Sequence, residues 1–222
     1  MTWVIAHRGA SADERENTLP AFERAIAAGS DYVELDVQAS ADGALVVFHD
    51  LELDRLTPLS GPLRRRTLAE LREVGIPTLA DVVELTRGRV GLMVELKSPY
   101  RYRRHDLVAR TVELLGPEDV VLSFQRRALL EALRLRPGLR VLQHVGYGVS
   151  IRAAARYAWA VGFHDPRVTR RGLARARALG VETTVYTVND AARMRELAAL
   201  GVSGIFSDRP ALLREALRPP PG

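Results

Sequence analysis

Short apolar runs alternate with arginine- and alanine-rich amphipathic stretches along the whole chain. Nine runs have the length and side-chain types of buried strands: 3–7, 32–37, 44–49, 91–96, 119–124, 140–145, 160–165, 182–188 and 204–208. Helical segments lie between most of them, over 18–28, 67–73, 79–87, 104–115, 125–135, 150–158, 170–179 and 190–199. Two helices carry clear boundaries. Asn17-Thr18 precedes LPAFERAIAAG, which ends in Gly29, and Asn189-Asp190 precedes AARMRELAALG, which ends in Gly201. Strand–helix alternation of this kind predicts a parallel sheet covered by helices.

One of the nine strands does not fit a βα repeat. Only QASADG separates 32–37 from 44–49, and a parallel crossover needs about a dozen residues or more. The third run is therefore a hairpin-like excursion turning at Asp42-Gly43. Removing it leaves eight strands at a spacing that suits a (β/α)8 TIM barrel with a small insertion after strand 2. An open doubly wound sheet is the competing architecture. The glycine-rich phosphate fingerprint expected after its first strand is absent. No linker divides residues 1–222, which read as a single domain.

Composition narrows the chemistry. There is no cysteine, so disulfides, thiolate nucleophiles and Cys-ligated zinc are excluded. The formal charge is +5 and the pI about 10.0, with arginine spread through the helical segments. This suits an anion-attracting rim better than a nucleic-acid stripe. No apolar run is long enough for a membrane span, and the N-terminus enters a strand without a signal peptide pattern, so the expected location is cytoplasmic. Only the final RPPPG reads as disordered. Among 32 basic residues, Lys97 is the one lysine.

In a barrel the active site lies at the C-terminal ends of the strands. The polar groups there are His7-Arg8-Gly9, Glu34 and Asp36, His49-Asp50, Glu95 and Lys97, Asn189, and Asp208. Residues i and i+2 share a strand face, so Glu34 pairs with Asp36 and Glu95 with Lys97. Three carboxylates inside a barrel mouth need compensation, which a hard divalent cation on Glu34, Asp36 and Glu95 would supply. Oxygen-only ligands favour calcium or magnesium over zinc. His7 and His49 are candidates for paired acid–base work. His144 and His164 are mouth residues without an assigned role, and His105 reads as surface. Arg8 and Lys97 bring positive charge suited to a phosphodiester. A compact ammonium fits a crowded position beside metal ligands that a guanidinium does not, which accounts for the solitary lysine.

The ordered signature AHRGA (6–10), ENTLPAFERAIAAGSDYVELDVQASADGALVVFHD (16–50), LDRLT (53–57), IPTLADVVEL (76–85), VELK (94–97), VYTVN (185–189) and GIFSDRP (204–210) resembles the glycerophosphodiester phosphodiesterases over nearly the whole chain. That resemblance implies a (β/α)8 barrel and metal-dependent hydrolysis of glycerophosphodiesters to glycerol 3-phosphate and an alcohol. It implies Glu34, Asp36 and Glu95 as ligands of one divalent ion, magnesium or calcium with manganese as a further candidate. His7 and His49 are then the acid–base pair, and Arg8 and Lys97 the phosphate contacts. Glu16 and Asn17 support the first loop, with Glu16 also a candidate to approach the metal or the glycerol hydroxyls. The chain departs from many members in having Tyr186 where they have tryptophan, and in a polar loop 10–15 without an aromatic wall. An open site that accepts varied alcohols is expected.

The expected partner is a small-molecule glycerophosphodiester, with no nucleic acid and no stable membrane association; monomer and homodimer both fit a barrel exterior. The rival activities are a lysophospholipase D acting on lipid-bearing diesters, which needs an apolar groove, and a phosphoester-binding protein without catalysis. A nucleic-acid binder rests on the pI alone.

Overall fold

A computed structural model of the chain describes residues 2–218. The expected disorder of the terminal RPPPG falls, from residue 219 on, outside them. The strands are β1 (Trp3–Ala6), β2 (Tyr32–Ala39), β3 (Leu45–Val47), β4 (Gly91–Leu96), β5 (Val120–Ser123), β6 (Arg140–His144), β7 (Ala160–His164), β8 (Glu182–Tyr186) and β9 (Gly204–Ser207). Eight of them run parallel in the order β1-β9-β8-β7-β6-β5-β4-β2, and β1 pairs back onto β2 to close a barrel. β3 pairs antiparallel with β2, with Val37 opposite Val47 and Ala39 opposite Leu45. Gly43 closes that hairpin at φ 86°, a left-handed angle that glycine adopts without a Cβ clash. The fold is a (β/α)8 TIM barrel with a hairpin excursion, as the spacing predicts.

Side-chain alternation splits each strand between two environments. Val33, Leu35, Val37, Val94 and Leu96 point outward into the layer between sheet and helices. The opposite set fills the lumen: Ile5, Met93, Leu122, Leu142 and Phe206 pack above a floor that includes Trp3, Tyr32 and Trp159. Trp3 stacks on Trp159 with ring centres 5.1 Å apart and meets Tyr32 edge-on at 6.0 Å. Each large apolar side chain so buried contributes about 1.5–3 kcal/mol. Along the inward face the character changes from floor to mouth. β2 runs Tyr32, Glu34, Asp36; β4 runs Met93, Glu95 and on to Lys97; β1 runs Trp3, Ile5 and on to His7. The apolar floor secures the barrel, and the charge collects at one end.

The helices are α1 (Leu19–Ala27), α2 (Leu68–Glu73), α3 (Leu79–Thr86), α4 (Leu107–Leu114), α5 (Arg126–Leu135), α6 (Ile151–Ala154), α7 (Arg170–Ala178), α8 (Ala191–Ala199) and α9 (Pro210–Ala216). Among the described residues none is long and apolar enough to cross a membrane. Three expectations need correction. The helix expected over 104–115 starts at Leu107, because Ser98 and Asp106 take left-handed angles and 3₁₀ turns fill Pro99–His105. His105 is half-buried against the Gly43 turn rather than freely exposed. The helix expected over 150–158 is a single turn, since Tyr157 leaves it to donate its hydroxyl to Gln143 Oε1 at 2.7 Å. α9 was not expected; Pro210 opens it and Leu213 is fully buried. Between β3 and α3 the insertion has its own small core of Val46, Phe48, Leu53, Leu63, Leu71 and Ile76.

Candidate active site

Glu34, Asp36 and Glu95 are nearly inaccessible and offer carboxylate oxygens that all lie within 4.8 Å of one another. Register brings them together: Asp36 is the direct partner of Glu95 across the β2–β4 ladder. Asn17 clamps Asp36, donating from Nδ2 to Oδ2 at 2.9 Å and accepting the Asp36 amide at 3.3 Å. Glu34 Oε2 accepts the Arg8 amide at 3.0 Å. Arg8 and Asn17 both hold left-handed backbone angles, φ 57° and 59°.

Two cations face these three acids. Lys97 Nζ lies 2.9 Å from Glu95 Oε1 and 3.3 Å from Asp36 Oδ1, and Arg8 Nε lies 3.2 Å from Asp36 Oδ2. Burial alone would raise the Asp36 pKa, but Lys97 and Arg8 overcome it and hold the group at about 2. Burial, with added repulsion from Asp36, pushes Glu95 up to about 7 against the pull of Lys97. Burial and the charges of Asp36 and Glu95 push Glu34 well above the usual carboxylate range. The cluster therefore carries more negative charge than its two cations neutralise comfortably. Asp36 Oδ1 is buried and accepts no hydrogen bond. An oxygen-only donor set, in which Asp36 Oδ1 has the Lys97 ammonium at 3.3 Å but no hydrogen bond, fits a hard divalent cation.

His7 and His49 stand on the same cavity, of about 340 Å³, which Lys97, Phe124, His144 and Tyr186 also line. Each imidazole is oriented by an acid. His7 Nδ1 is 2.7 Å from Asp208 Oδ1, and His49 Nδ1 is 2.6 Å from Asp50 Oδ1. With a carboxylate as partner Nδ1 carries the proton, and Nε2 is left to accept or deliver another. Asp208 is itself held by Ser11 and Asn189. Burial would raise its pKa, but the His7 bond brings it down to about 2. Burial, reinforced by Lys97 and Arg8 and opposed by Asp36, lowers the His49 pKa.

All ten residues expected at the site lie at the mouth, though not all in one role. Glu16 spends both oxygens on Arg8 and Arg55, at 2.7–3.0 Å, and lies outside the carboxylate triad. Tyr186 lines the cavity with its hydroxyl buried and, beyond the neighbouring Tyr147, unpartnered. His164 lines the same cavity, and His144 is buried in its wall, stacked against Phe124 at 4.4 Å. Burial, together with Lys97, keeps His144 neutral by lowering its pKa to about 3.

Sequence reasoning gave no role to several groups that position the others. Gln38, fully buried, donates from Nε2 to the carbonyls of Phe48, His49 and Asp50 at 2.7–3.2 Å and so fixes the turn that presents His49. Arg55 joins Asp50 to Glu16. Asp50 and Asp208 were visible as polar strand ends, and Arg55 lay within LDRLT, but nothing local announced whom they hold.

A family model, the glycerophosphoryl diester phosphodiesterase family, matches residues 7–212. The chain belongs to that family. It is 34% identical over 242 residues to a glycerophosphodiester phosphodiesterase of Bacillus altitudinis, covering 95% of this chain and 96% of the relative. A second relative of that name, from Caldanaerobacter subterraneus subsp. tengcongensis, is 32% identical with 98% of both chains covered. Among solved structures, an Oleispira antarctica phosphodiesterase in complex with the product sn-glycerol-3-phosphate superposes with a TM-score of 0.86 at 28% identity, covering 98% of this chain and 97% of that one. The chain is accordingly an enzyme of the glycerophosphodiester phosphodiesterase class.

Proposed function

We propose that the chain acts as one domain, hydrolysing glycerophosphodiesters to sn-glycerol 3-phosphate and an alcohol, with His7 and His49 as its acid–base pair. The observation that carries this reading is the pair of acid-oriented imidazoles on one cavity with the carboxylate triad. Glu34, Asp36 and Glu95 would hold one divalent ion, magnesium or calcium, with manganese also accommodated by oxygen donors. Such an ion supplies a Lewis acid beside the phosphoryl oxygens. Arg8 and Lys97 add fixed positive charge where the phosphoryl group gains negative charge.

One imidazole Nε2 takes the proton of the attacking hydroxyl, either the glycerol 2-hydroxyl or water. The other gives a proton to the departing alkoxide as the phosphorus–oxygen bond breaks. Attack by water gives glycerol 3-phosphate directly, and the imidazoles reset by exchanging one proton with solvent. Attack by the glycerol 2-hydroxyl expels the alcohol and leaves a cyclic phosphate, which water opens in a second step with the imidazole roles reversed. The His–Asp pairs set which nitrogen does this work, and Gln38 and Asn17 hold the groups at the distances it requires.

Beside the cavity lies an open groove of about 690 Å³ that shares His49, Glu95, Lys97 and Phe124 with it. Its walls carry Asp50, Glu52, Asp54 and Arg55 together with the apolar Leu51, Leu96 and Phe124. A groove of mixed lining does not separate a polar alcohol from an acyl chain, so cleavage of a lysophospholipid measured beside that of glycerophosphocholine distinguishes the glycerophosphodiester reading from a lysophospholipase D. The test is release of glycerol 3-phosphate from glycerophosphocholine and glycerophosphoethanolamine by metal-stripped protein, with calcium, magnesium or manganese restored singly. Release restored by an ion is expected; silence on both substrates with every ion would overturn the proposal.

A further inference from the structure

Residues 121–180 contain twelve arginines and two acids, Glu131 and Asp165, a net of +10. The other 162 residues hold 20 basic and 25 acidic side chains, a net of −5. The modest overall charge thus conceals a division, and arginine is not spread evenly through the helices as its count suggests. In the fold this stretch runs from β5 to the end of α7, and β5 to β8 are successive neighbours in the barrel. The charge therefore occupies one sector of the wall. Ten of the twelve arginines are exposed. Among the described residues, the ion pair of Arg140 with Glu118 is the only one any of the twelve makes, and Asp165 is taken by Arg193 from outside the stretch.

Their placement runs against local helix preference. α5 opens with Arg126-Arg127 and α7 with Arg170-Arg171, and neither has an acid in its first turn. Positive charge there opposes the helix dipole. α2 and α3 do the reverse, with Glu70 and Asp81 completing capping boxes. Helix stability thus gives no reason for the first-turn arginines. Each helix begins where its strand ends, so these turns stand on the mouth side of the barrel. Among the described residues the same sector carries four of the seven exposed large apolar side chains: Tyr147 on the mouth side, Leu130 in the second turn of α5, and Leu135 and Leu179 at the far ends of α5 and α7. Tyr147 also lines the catalytic cavity and lies 4.6 Å beneath the Arg167 guanidinium.

We propose that this sector is a docking face for the surface of an anionic phospholipid bilayer. Guanidinium groups bind lipid phosphates, while Tyr147 and Leu130 on the mouth half of the sector enter the headgroup layer. An exposed aliphatic side chain such as Leu130 gains from the headgroup layer of a bilayer and gains nothing from a phosphate backbone, which favours the bilayer over duplex nucleic acid. A glycerophosphodiester is a phospholipid headgroup and glycerol stripped of the acyl chains, so docking holds the mouth beside the lipids whose deacylation releases such diesters. The association is reversible and weakens with salt.

Co-sedimentation of the full chain with vesicles tests this. One set is phosphatidylcholine alone; the other contains about a third phosphatidylglycerol. The test variant is Arg152→Glu/Arg156→Glu/Arg170→Glu/Arg171→Glu, at four exposed arginines without an ion pair or hydrogen bond to another group. Arg64→Gln/Arg65→Gln/Arg87→Gln is the control, outside the sector. The wild type and the control should bind the anionic vesicles selectively and lose them at high salt. The test variant should bind about tenfold more weakly or worse. Its turnover of soluble glycerophosphocholine should be unchanged and its Tm unchanged or raised, whereas a structural role for these arginines would lower Tm. Equal binding to both vesicle types, binding to neither, or wild-type binding by the test variant would overturn the proposal. Retention by duplex DNA without vesicle binding would overturn it too, in favour of nucleic acid.

Discussion

Gln38, on the β1–β4 side of the mouth, and Gln143, on the β5–β8 side, make the same set of hydrogen bonds. Each Nε2 donates to three backbone carbonyls, and each Oε1 accepts from a tyrosine hydroxyl at 2.7 Å, Tyr102 for one and Tyr157 for the other. The loops held this way differ. On the first side the clamp presents His49 beside the carboxylate triad and its two cations. On the second it presents Phe124 and His144, neutral rings of the cavity wall. Left-handed angles at non-glycine residues, among the described residues, follow the same division. The non-glycine residues with left-handed angles, Arg8, Asn17, Ser98 and Asp106, all belong to the first side. The corresponding positions at the second side's mouth are Gly146 and Gly148. A left-handed non-glycine residue costs about 1–2 kcal/mol, and at Arg8 and Asn17 that cost is accepted beside the carboxylate triad. Firm positioning is common to both halves; charge marks the reactive one.

Substitutions can break that contrast. The largest effect is expected at the imidazoles. His7→Ala or His49→Ala should lower kcat by about 10²–10⁴-fold while circular dichroism and Tm stay near wild type. Next is Lys97→Arg, which keeps the charge. Its larger head cannot occupy the space between Glu95 and Asp36 without displacing them, and steady-state kinetics should show a loss approaching about 10²-fold. Near wild-type turnover would show that the site demands only a charge.

The third concerns the triad in metal-stripped protein. Glu95 has a folded pKa of about 7 against an ordinary value of 4.5, so the folded state binds more protons between those limits. Stability should fall as pH rises from about 4.5 to about 7, by on the order of 3 kcal/mol from this group. A bound divalent ion favours the ionised form and should flatten the decline, so the gap in Tm between loaded and stripped protein should widen with pH. A constant gap across that window would contradict the charge imbalance inferred for the triad. The smallest effect is expected on the neutral side. Beyond the neighbouring Tyr147 the Tyr186 hydroxyl has no polar partner, so Tyr186→Phe should change kcat and KM by less than about threefold and stability hardly at all. A large loss of kcat would move Tyr186 into the reactive half.

Much of this could be read along the chain because it depends on short spacings. Glu34 and Asp36 share a face because they are two apart, and the QASADG link is too short for anything but a hairpin. What escaped depends on distant pairings. His7 and Asp208 are separated by 201 positions, and Tyr102 reaches Gln38 across 64. No local pattern records such partners. The helix start near 104 was misplaced because the arginines of 101–104 suit an exposed helix as well as 3₁₀ turns, and only Pro99 hinted otherwise. The basic sector was legible in principle, since it needs only a count taken over one stretch rather than over the whole chain.

The tryptophans of the floor have a consequence for observing the molecule. Trp3 and Trp159 are the chain's only two, and they stack across the lumen from strands that β9 and β8 separate. Two indoles at that distance couple as one chromophore, and they stay coupled only while the ring of strands is shut. Their exciton signal in circular dichroism therefore serves as an internal, label-free gauge of closure, read from the end of the barrel where no catalysis takes place.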